Sequence, residues 1–206
     1  MAVEIKISKE KIPYKTAVNY LEKRVQEVKN GKKDDLLWIL EHPLTFSAGV
    51  RSSNLDVLDK NIKLIRSKRG GKITLHNPGQ KIIYFVIDLN KRKKDIRKFI
   101  LAIEKSIIST LKELDMKSFN DRKNVGIWIN HNKEIKKIAA IGIRVKKWIA
   151  FHGFSINYSN SLEEYKKIVP CGIHDKGIIN IINIKKVSKQ QILKILKKNL
   201  LINLDY

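Results

Sequence analysis

The chain has 206 residues, enough for one domain that buries roughly seventy per cent of its unfolded surface without covalent staples. Its single cysteine, Cys171, excludes an internal disulfide and points to a reducing, cytoplasmic compartment; no run approaches eighteen uninterrupted apolar residues, which speaks against a membrane span. The formal net charge of +23 attracts acidic partners, yet the lysines are scattered through every segment, and no Arg-rich arm, zinc-finger spacing or aromatic-basic RNA signature points to nucleic acid.

The opening MAVEIKISKEKIPYK lacks the apolar core of a signal peptide and contains a short strand, VEIKI. After Pro13, Tyr14, Ala17, Leu21, Val25 and Val28 recur at helical spacing, and Gly31 stands just past them, so a proline start and a glycine stop bound an amphipathic helix. DLLWILEHP (35–43), short and densely apolar, predicts a central strand ended by His42-Pro43. The small residues of LTFSAGVRSSN (44–54) predict a loop, and LDVLDKNIKLIRSK (55–68) a helical turn or short helix. RGGKITLHNPGQ (69–80) follows, with Gly70-Gly71 allowing close backbone approach to a ligand and Pro78-Gly79 a turn.

KIIYFVIDL (81–89) predicts a second central strand, and from Asp95 the positions Ile96, Phe99, Ile100, Ile103, Ile107, Leu111 and Leu114 keep a helical period behind a lysine-rich face. VGIWIN, KKIAAIGIRV and WIAFHGFSINYS (125–159, with polar breaks) read as an antiparallel meander. Ser161 and Glu164 stand in capping-box spacing, predicting a short helix that stops at Pro170; GIINIINI (177–184) reads as a last strand, and Ser188 with Gln191 opens a terminal helix through Leu200. With no repeat and no low-complexity linker, residues 1–206 read as a single α+β domain.

Cys171 sits in Pro-Cys-Gly. Lone cysteines are mostly inert and buried, but Pro170 and Gly172 hold this one in a turn, where side chains face clefts. As a nucleophile it needs a nearby cation or base. Lys137, at the head of an apolar run, can be carried into a partly desolvated cleft and exchange protons with a thiol, although a surface role is the default in so lysine-rich a chain. His76 and His152 lie in no HxH, HExxH or Cys/His spacing, so hydrogen bonding or ligand contact outranks metal binding; there is no Walker motif, GxGxxG or GxSxG.

Five stretches in order, EHP (41–43), RGGKITLHNPGQ (69–80), KIAAIGIRV (137–145), FHGFSIN (151–157) and PCGI (170–173), resemble the lipoyl(octanoyl) transferases, which move an octanoyl chain from acyl carrier protein to a lipoyl-domain lysine. The resemblance spans most of the chain. It implies the fold of the biotin and lipoate protein ligases, a mixed, largely antiparallel sheet flanked by helices. It makes Cys171 the acyl-thioester nucleophile and Lys137 its proton partner. The acyl pocket would be lined by Arg69, Gly70, Gly71, Lys72, Ile73, Thr74, Leu75 and His76, by Ala140, Ile141 and Gly142, and by Gly153, Phe154 and Ser155.

The implied partners are octanoyl-acyl carrier protein, the lipoyl domains of 2-oxoacid dehydrogenases and the glycine-cleavage carrier protein, with no metal, no cofactor, no nucleic acid and no membrane, and with the enzyme a monomer. Two departures stand out. Asn77 replaces the glycine expected after the histidine, and Gly177, Ile178, Ile179 and Asn180 replace the family's Gly-Val-Thr-Ser. The rival readings are an ATP-dependent lipoate or biotin protein ligase on the same fold, and a basic nucleic-acid-binding protein.

Overall fold

The computed structural model describes residues 2–173 and 176–204. In chain order it contains β1 (Val3–Ile7), α1 (Tyr14–Lys29), β2 (Asp35–Leu40), β3 (Thr45–Ala48), β4 (Leu64–Arg66), β5 (Ile73–His76), β6 (Gln80–Asp88), α2 (Ile96–Lys112), β7 (Ser118–Asn120), β8 (Ile127–His131), β9 (Glu134–Lys146), β10 (Ile149–Asn157), β11 (Gly177–Ile178) and α3 (Lys189–Leu204). The large sheet runs β1-β2-β6-β10-β9-β8-β7, with β11 added beside β9; a small sheet runs β4-β3-β5. In the large sheet β1 with β2 and β11 with β9 are parallel and the remaining pairs antiparallel. This is the mixed, helix-flanked α+β architecture expected.

The two central strands read as continuous apolar runs because both of their faces are covered. Every residue of β2 and β6 is buried. Leu37, Ile39, Ile83, Phe85 and Ile87 alternate onto one face, where Phe99, Ile103 and Ile107 of α2 and Leu196 and Leu200 of α3 pack. Leu36, Trp38, Ile82, Tyr84 and Val86 alternate onto the other, under Ala17, Leu21 and Val25 of α1.

Local chemistry bounds the helices. Asp95 accepts from Lys98 N–H at 3.0 Å to cap α2, and Ser188 Oγ accepts from Gln191 N–H at 3.1 Å to cap α3. Gly31, at φ +68°, lets the chain leave α1 in the left-handed region. Buried Arg92 ties the far ends together: its Nη1 meets Asp35 Oδ2 at 2.5 Å and its Nε donates to Leu204 O at 2.9 Å.

Four stretches differ from the sequence expectations. Residues 44–54 are not simply a loop, because β3 pairs with β5 from Thr45 opposite His76 to Ala48 opposite Ile73. Residues 55–68 form no helix beyond the 3₁₀ turn Asn54–Asp56; Asp59 Oδ1 accepts from Asn61 N–H at 2.9 Å, a local alternative to helix bonding, and the segment ends as β4. Residues 163–167 are a 3₁₀ turn without the capping box, drawn out of helix by the Val57–Ile168 bridge and by Leu58 and Asp59 N–H groups on Lys167 O. GIINIINI contributes only the two residues of β11, because Asn180 leaves the ladder to cap the turn Ile181–Asn183 and to bond Asn160 O.

Candidate active site

Strand parity decides what the glycine-rich stretch offers. In β5, Thr74 and His76 line a cavity of about 330 Å³, whereas Ile73 and Leu75 are fully buried against Phe46, Ala48, Tyr165 and Ile168 on the opposite side. Gly70 does not line the cavity either. A Cβ there would stand 2.7 Å from Ile143 O, so its bareness lets the loop lie against β9. Arg69, Gly71 and Lys72 do line the cavity, as do Ala140, Ile141 and Gly142 from β9 and Gly153, Phe154 and Ser155 from β10. A Cβ on Gly153 would fall 1.9 Å from Ile83 O, which makes glycine obligatory where β10 presses on β6.

Arg69 is buried and forms no ion pair among the described residues. Its guanidinium is held by oxygens: Nη2 donates to Ser47 O at 2.7 Å and Ser47 Oγ at 2.9 Å, and Nη1 to Gly70 O at 2.9 Å. That charge acts on a buried group of rings. Burial, and then the nearby Arg69 and Arg144 cations, push the His152 imidazole down to about 3. Burial, followed by His42 and Arg69, pushes His76 well below the ordinary histidine value, while burial takes His42 down to about 4 against a hydrogen bond to Ile12 O. At neutral pH these rings are therefore uncharged. His76 Nδ1 pairs with Gln80 Oε1 at 2.8 Å and His42 Nε2 with the Tyr84 hydroxyl at 2.9 Å.

Cys171 and Lys137 line the same cavity from different elements. Cys171 sits on the 3₁₀ turn Pro170–Gly172 at φ +57°, a conformation that costs a non-glycine residue about 1–2 kcal/mol, and it is partly exposed. Gly172 follows at φ +66°, with Lys72 Nζ so close that a Cβ would stand 2.1 Å away. The N–H groups of Gly172 and Ile173 are already donated to Val169 O and Pro170 O, at 3.0 and 3.1 Å, so neither is free to receive an oxyanion.

Lys137 is 3% exposed. Its Nζ donates to Val125 O at 3.1 Å and lies 4.6 Å from the Trp128 ring centroid; Lys176 Nζ lies 4.9 Å from the same ring. Gly126, at φ +138°, passes so near that a Cβ would meet Lys137 Cε at 3.1 Å. Asp121 holds this turn by accepting from Lys123 N–H and Asn124 Nδ2, both at 2.8 Å, and Trp128 Nε1 donates to Asn124 O at 2.8 Å.

The structure thus brings a thiol, an amine and an apolar-to-polar cavity into one place. Residue patterns missed Arg51, Tyr84 and the Lys123–Val125 turn, which also line it. Tyr84 was reachable by counting alternate positions along KIIYFVIDL from Ile82; the turn carries no residue-type signal, since its contribution to Lys137 is a carbonyl.

The family profile described as the lipoyl protein ligase A/B catalytic domain matches residues 13–201. A curated octanoyltransferase from Wolbachia sp. subsp. Brugia malayi is 41% identical over 87% of this chain and 88% of its own length, and one from Anaplasma phagocytophilum is 36% identical over 96% and 97%. Among solved structures, the bipartite lipoate protein ligase of Thermoplasma acidophilum superposes with a TM-score of 0.73 at 14% identity, over 98% of this chain and 84% of that one, a likeness of fold. No helix among the described residues is long and apolar enough to cross a membrane. The chain belongs to the lipoyl protein ligase A/B catalytic-domain family and, within it, to the octanoyltransferases.

Proposed function

We propose that residues 1–206 act as one cytoplasmic catalytic domain that transfers an octanoyl group from octanoyl-acyl carrier protein to a lysine of lipoyl domains, through a thioester on Cys171. The observation that carries this reading is that Cys171 and Lys137, remote in sequence, line one cavity. The similarity to octanoyltransferases supports the choice of acyl group, and the family's description as a lipoyl protein ligase A/B catalytic domain supports the acceptor.

The donor thioester is already activated, so the reaction needs no ATP. Lys137 holds the proton taken from Cys171 as an ammonium, and the Cys171 thiolate attacks the carbonyl carbon; the tetrahedral adduct collapses, the carrier sulfur leaves, and the Lys137 ammonium protonates it. Octanoyl-Cys171 and a free carrier thiol result. The acceptor lysine, as its neutral amine, then attacks the new thioester. Lys137 takes the proton released as the amide forms, and returns it to the departing Cys171 sulfur. The Val125 carbonyl and the Trp128 ring hold the Lys137 ammonium at the cavity wall between these transfers.

The uncharged histidines add no further charge to a wall that already holds Arg69 and Lys137, and each methylene removed from water contributes about 0.8 kcal/mol. Two carbons fewer therefore cost roughly 1.6 kcal/mol, a moderate chain-length preference. Mixing the protein with octanoyl-acyl carrier protein, without nucleotide, tests the scheme by intact mass. An octanoyl adduct is expected on the parent and absent from Cys171→Ala. A parent that acquires no adduct refutes covalent catalysis, and an absolute need for ATP identifies a ligase instead.

A further inference from the structure

Beside the cavity lies a surface that the chemistry does not use. Within one short segment Val50, Leu55 and Leu58 are 67%, 87% and 61% exposed, although Val57 between the two leucines packs into the cluster around Phe46 and Ile73. Isolated exposed apolar residues are ordinary; three within nine positions, on a segment fixed in place, ask for a partner.

The segment is fixed to the nucleophile's own turn. Val169 N–H donates to Asp56 O at 2.8 Å, Leu58 N–H to Lys167 O at 3.0 Å, and Val57 bridges Ile168. From Lys167 to Cys171 the chain can span at most roughly 14 Å, so the segment is tied within that reach of the thiol's turn, and its Arg51 lines the cavity. Lys72 bridges the two parts, with Nζ 3.9 Å from Asp56 Oδ1 and hard against Gly172.

The surroundings are cationic. Besides buried Arg69, residues 50–72 hold six Lys or Arg against two Asp, and of those two Asp56 is buried beside Lys72. Arg51 and Lys72 line the cavity itself. Exposed leucines ringed by cations fit a partner that is acidic with an apolar centre, since the rim sets orientation and encounter rate while the buried centre sets lifetime.

We infer that the Val50–Leu58 segment is the docking surface for the acyl-bearing donor, an acidic carrier domain that carries octanoate as a thioester on a phosphodiester-linked arm. This rests on the transferase reading above. A flexible arm lets the donor domain sit beside the opening while its thioester reaches Cys171, and the arm's phosphodiester adds a negative charge for Arg51 and Lys72. An acceptor lysine has only its own side chain to extend and must be presented over the opening itself.

The test uses the exposed pair Leu55→Ser/Leu58→Ser, with acylation of Cys171 followed by intact mass in a stopped time course. Two donors are compared: octanoyl-acyl carrier protein and octanoyl-pantetheine, which has no protein to dock. A third arm measures discharge of the preformed acyl-enzyme to a lipoyl domain. Acylation by the carrier-borne donor is expected to fall about 10- to 100-fold, while octanoyl-pantetheine acylation and discharge to the lipoyl domain stay within about two-fold of the parent. Lys60→Glu/Lys63→Glu is expected to slow the carrier-borne donor alone, by about ten-fold at low salt and less as salt rises.

An unchanged rate with the carrier-borne donor in the leucine double variant overturns the inference. So does an equal loss with both donors, which locates the damage in the cavity, and so does a loss confined to discharge, which assigns the surface to the acceptor. A parent that neither donor acylates fails the transferase reading, and this inference with it.

Discussion

Replacing Lys137 with methionine should make the protein more stable and abolish its chemistry. The ammonium has three N–H groups, yet among the described residues it makes one hydrogen bond, to Val125 O at 3.1 Å, and no ion pair; its further partner is the Trp128 face at 4.6 Å. Desolvating an ammonium costs several kcal/mol even after the protein relaxes. One charge-assisted hydrogen bond returns about 1.5–3 kcal/mol and a buried cation–π contact about 2 kcal/mol. The ion therefore breaks even at best, and methionine fills the same channel with an unbranched chain and a sulfur that sits well against the indole.

A gain of about 1–2 kcal/mol is expected, or roughly 2–8 °C in Tm for a chain of this length. The freed Val125 carbonyl can turn to water, because Val125 is exposed. Urea unfolding at pH 7.5 measures the stability, and octanoyl transfer to a lipoyl domain measures the chemistry, where a loss of about 10²–10⁴-fold is expected for a missing proton carrier. If Lys137→Met were instead less stable than the parent by more than about 1 kcal/mol, the lysine would be a structural cation and the proton role assigned to it would lose its physical basis.

Gly153→Ala forces a Cβ to within 1.9 Å of Ile83 O and should cost about 3 kcal/mol or more, because neither strand of the β6–β10 ladder can retreat; Gly31→Ala, with nothing within 4 Å and only φ +68° against it, should cost about 1 kcal/mol. Equal losses in urea titrations would contradict that distinction. Arg92→Met strands Asp35, whose carboxyl burial already pushes upward, and frees Leu204 O; a loss of about 3–5 kcal/mol is expected, and a loss under 1 kcal/mol would show that α3 is anchored elsewhere. For pH, His42, His76 and His152 are held neutral in the folded protein, His42 at about 4 and His152 at about 3. The unfolded chain protonates them near 6.5, so stability is complete above that pH and drains as pH falls toward the folded values; between pH 6.5 and 5.5 the three together should remove about 3 kcal/mol. A flat profile across that window would mean the imidazoles are not buried as neutral rings.

What could be read from the residues was whatever packing imposes on a face. DLLWIL and KIIYFVIDL are continuous apolar runs because α1 covers one side and α2 with α3 the other, and the period from Phe99 to Leu114 survives because one stripe of α2 meets that same core, while Ile96 in its first turn stays exposed. The small sheet escaped for the opposite reason. TFSA is four residues long, and its stability comes from pairing with ITLH nearly thirty positions later, a contact that no local window contains. Naming all of Arg69–His76 as pocket also overreached, since the period-two rule alone separates Thr74 and His76 from Ile73 and Leu75 once the segment is known to be a strand.

The geometry of the candidate site was hidden at a deeper level, because its supports are mostly backbone oxygens. Lys137 is held by the carbonyl of Val125, and Arg69 by those of Ser47 and Gly70. Every residue owns a carbonyl, so nothing in Val125 or Gly70 as a residue type announces the role; Ser47 also gives Arg69 its hydroxyl, at 2.9 Å. The trace left in sequence is indirect and lies in glycines, at Gly126 where a Cβ would crowd the Lys137 side chain, and at Gly70 and Gly153 where it would strike a neighbouring strand. Such a site tolerates exchange of the residue that supplies the oxygen and forbids a side chain at the glycine that makes room. Val125→Ala should accordingly leave transfer within about two-fold of the parent, whereas Gly126→Ala, which strains φ +138° and presses on both Ala139 O and Lys137, should lower kcat by about 10²-fold with KM little changed, the mark of a displaced reacting group. Comparable kcat values for these two variants would show that Lys137 is positioned by something other than this turn.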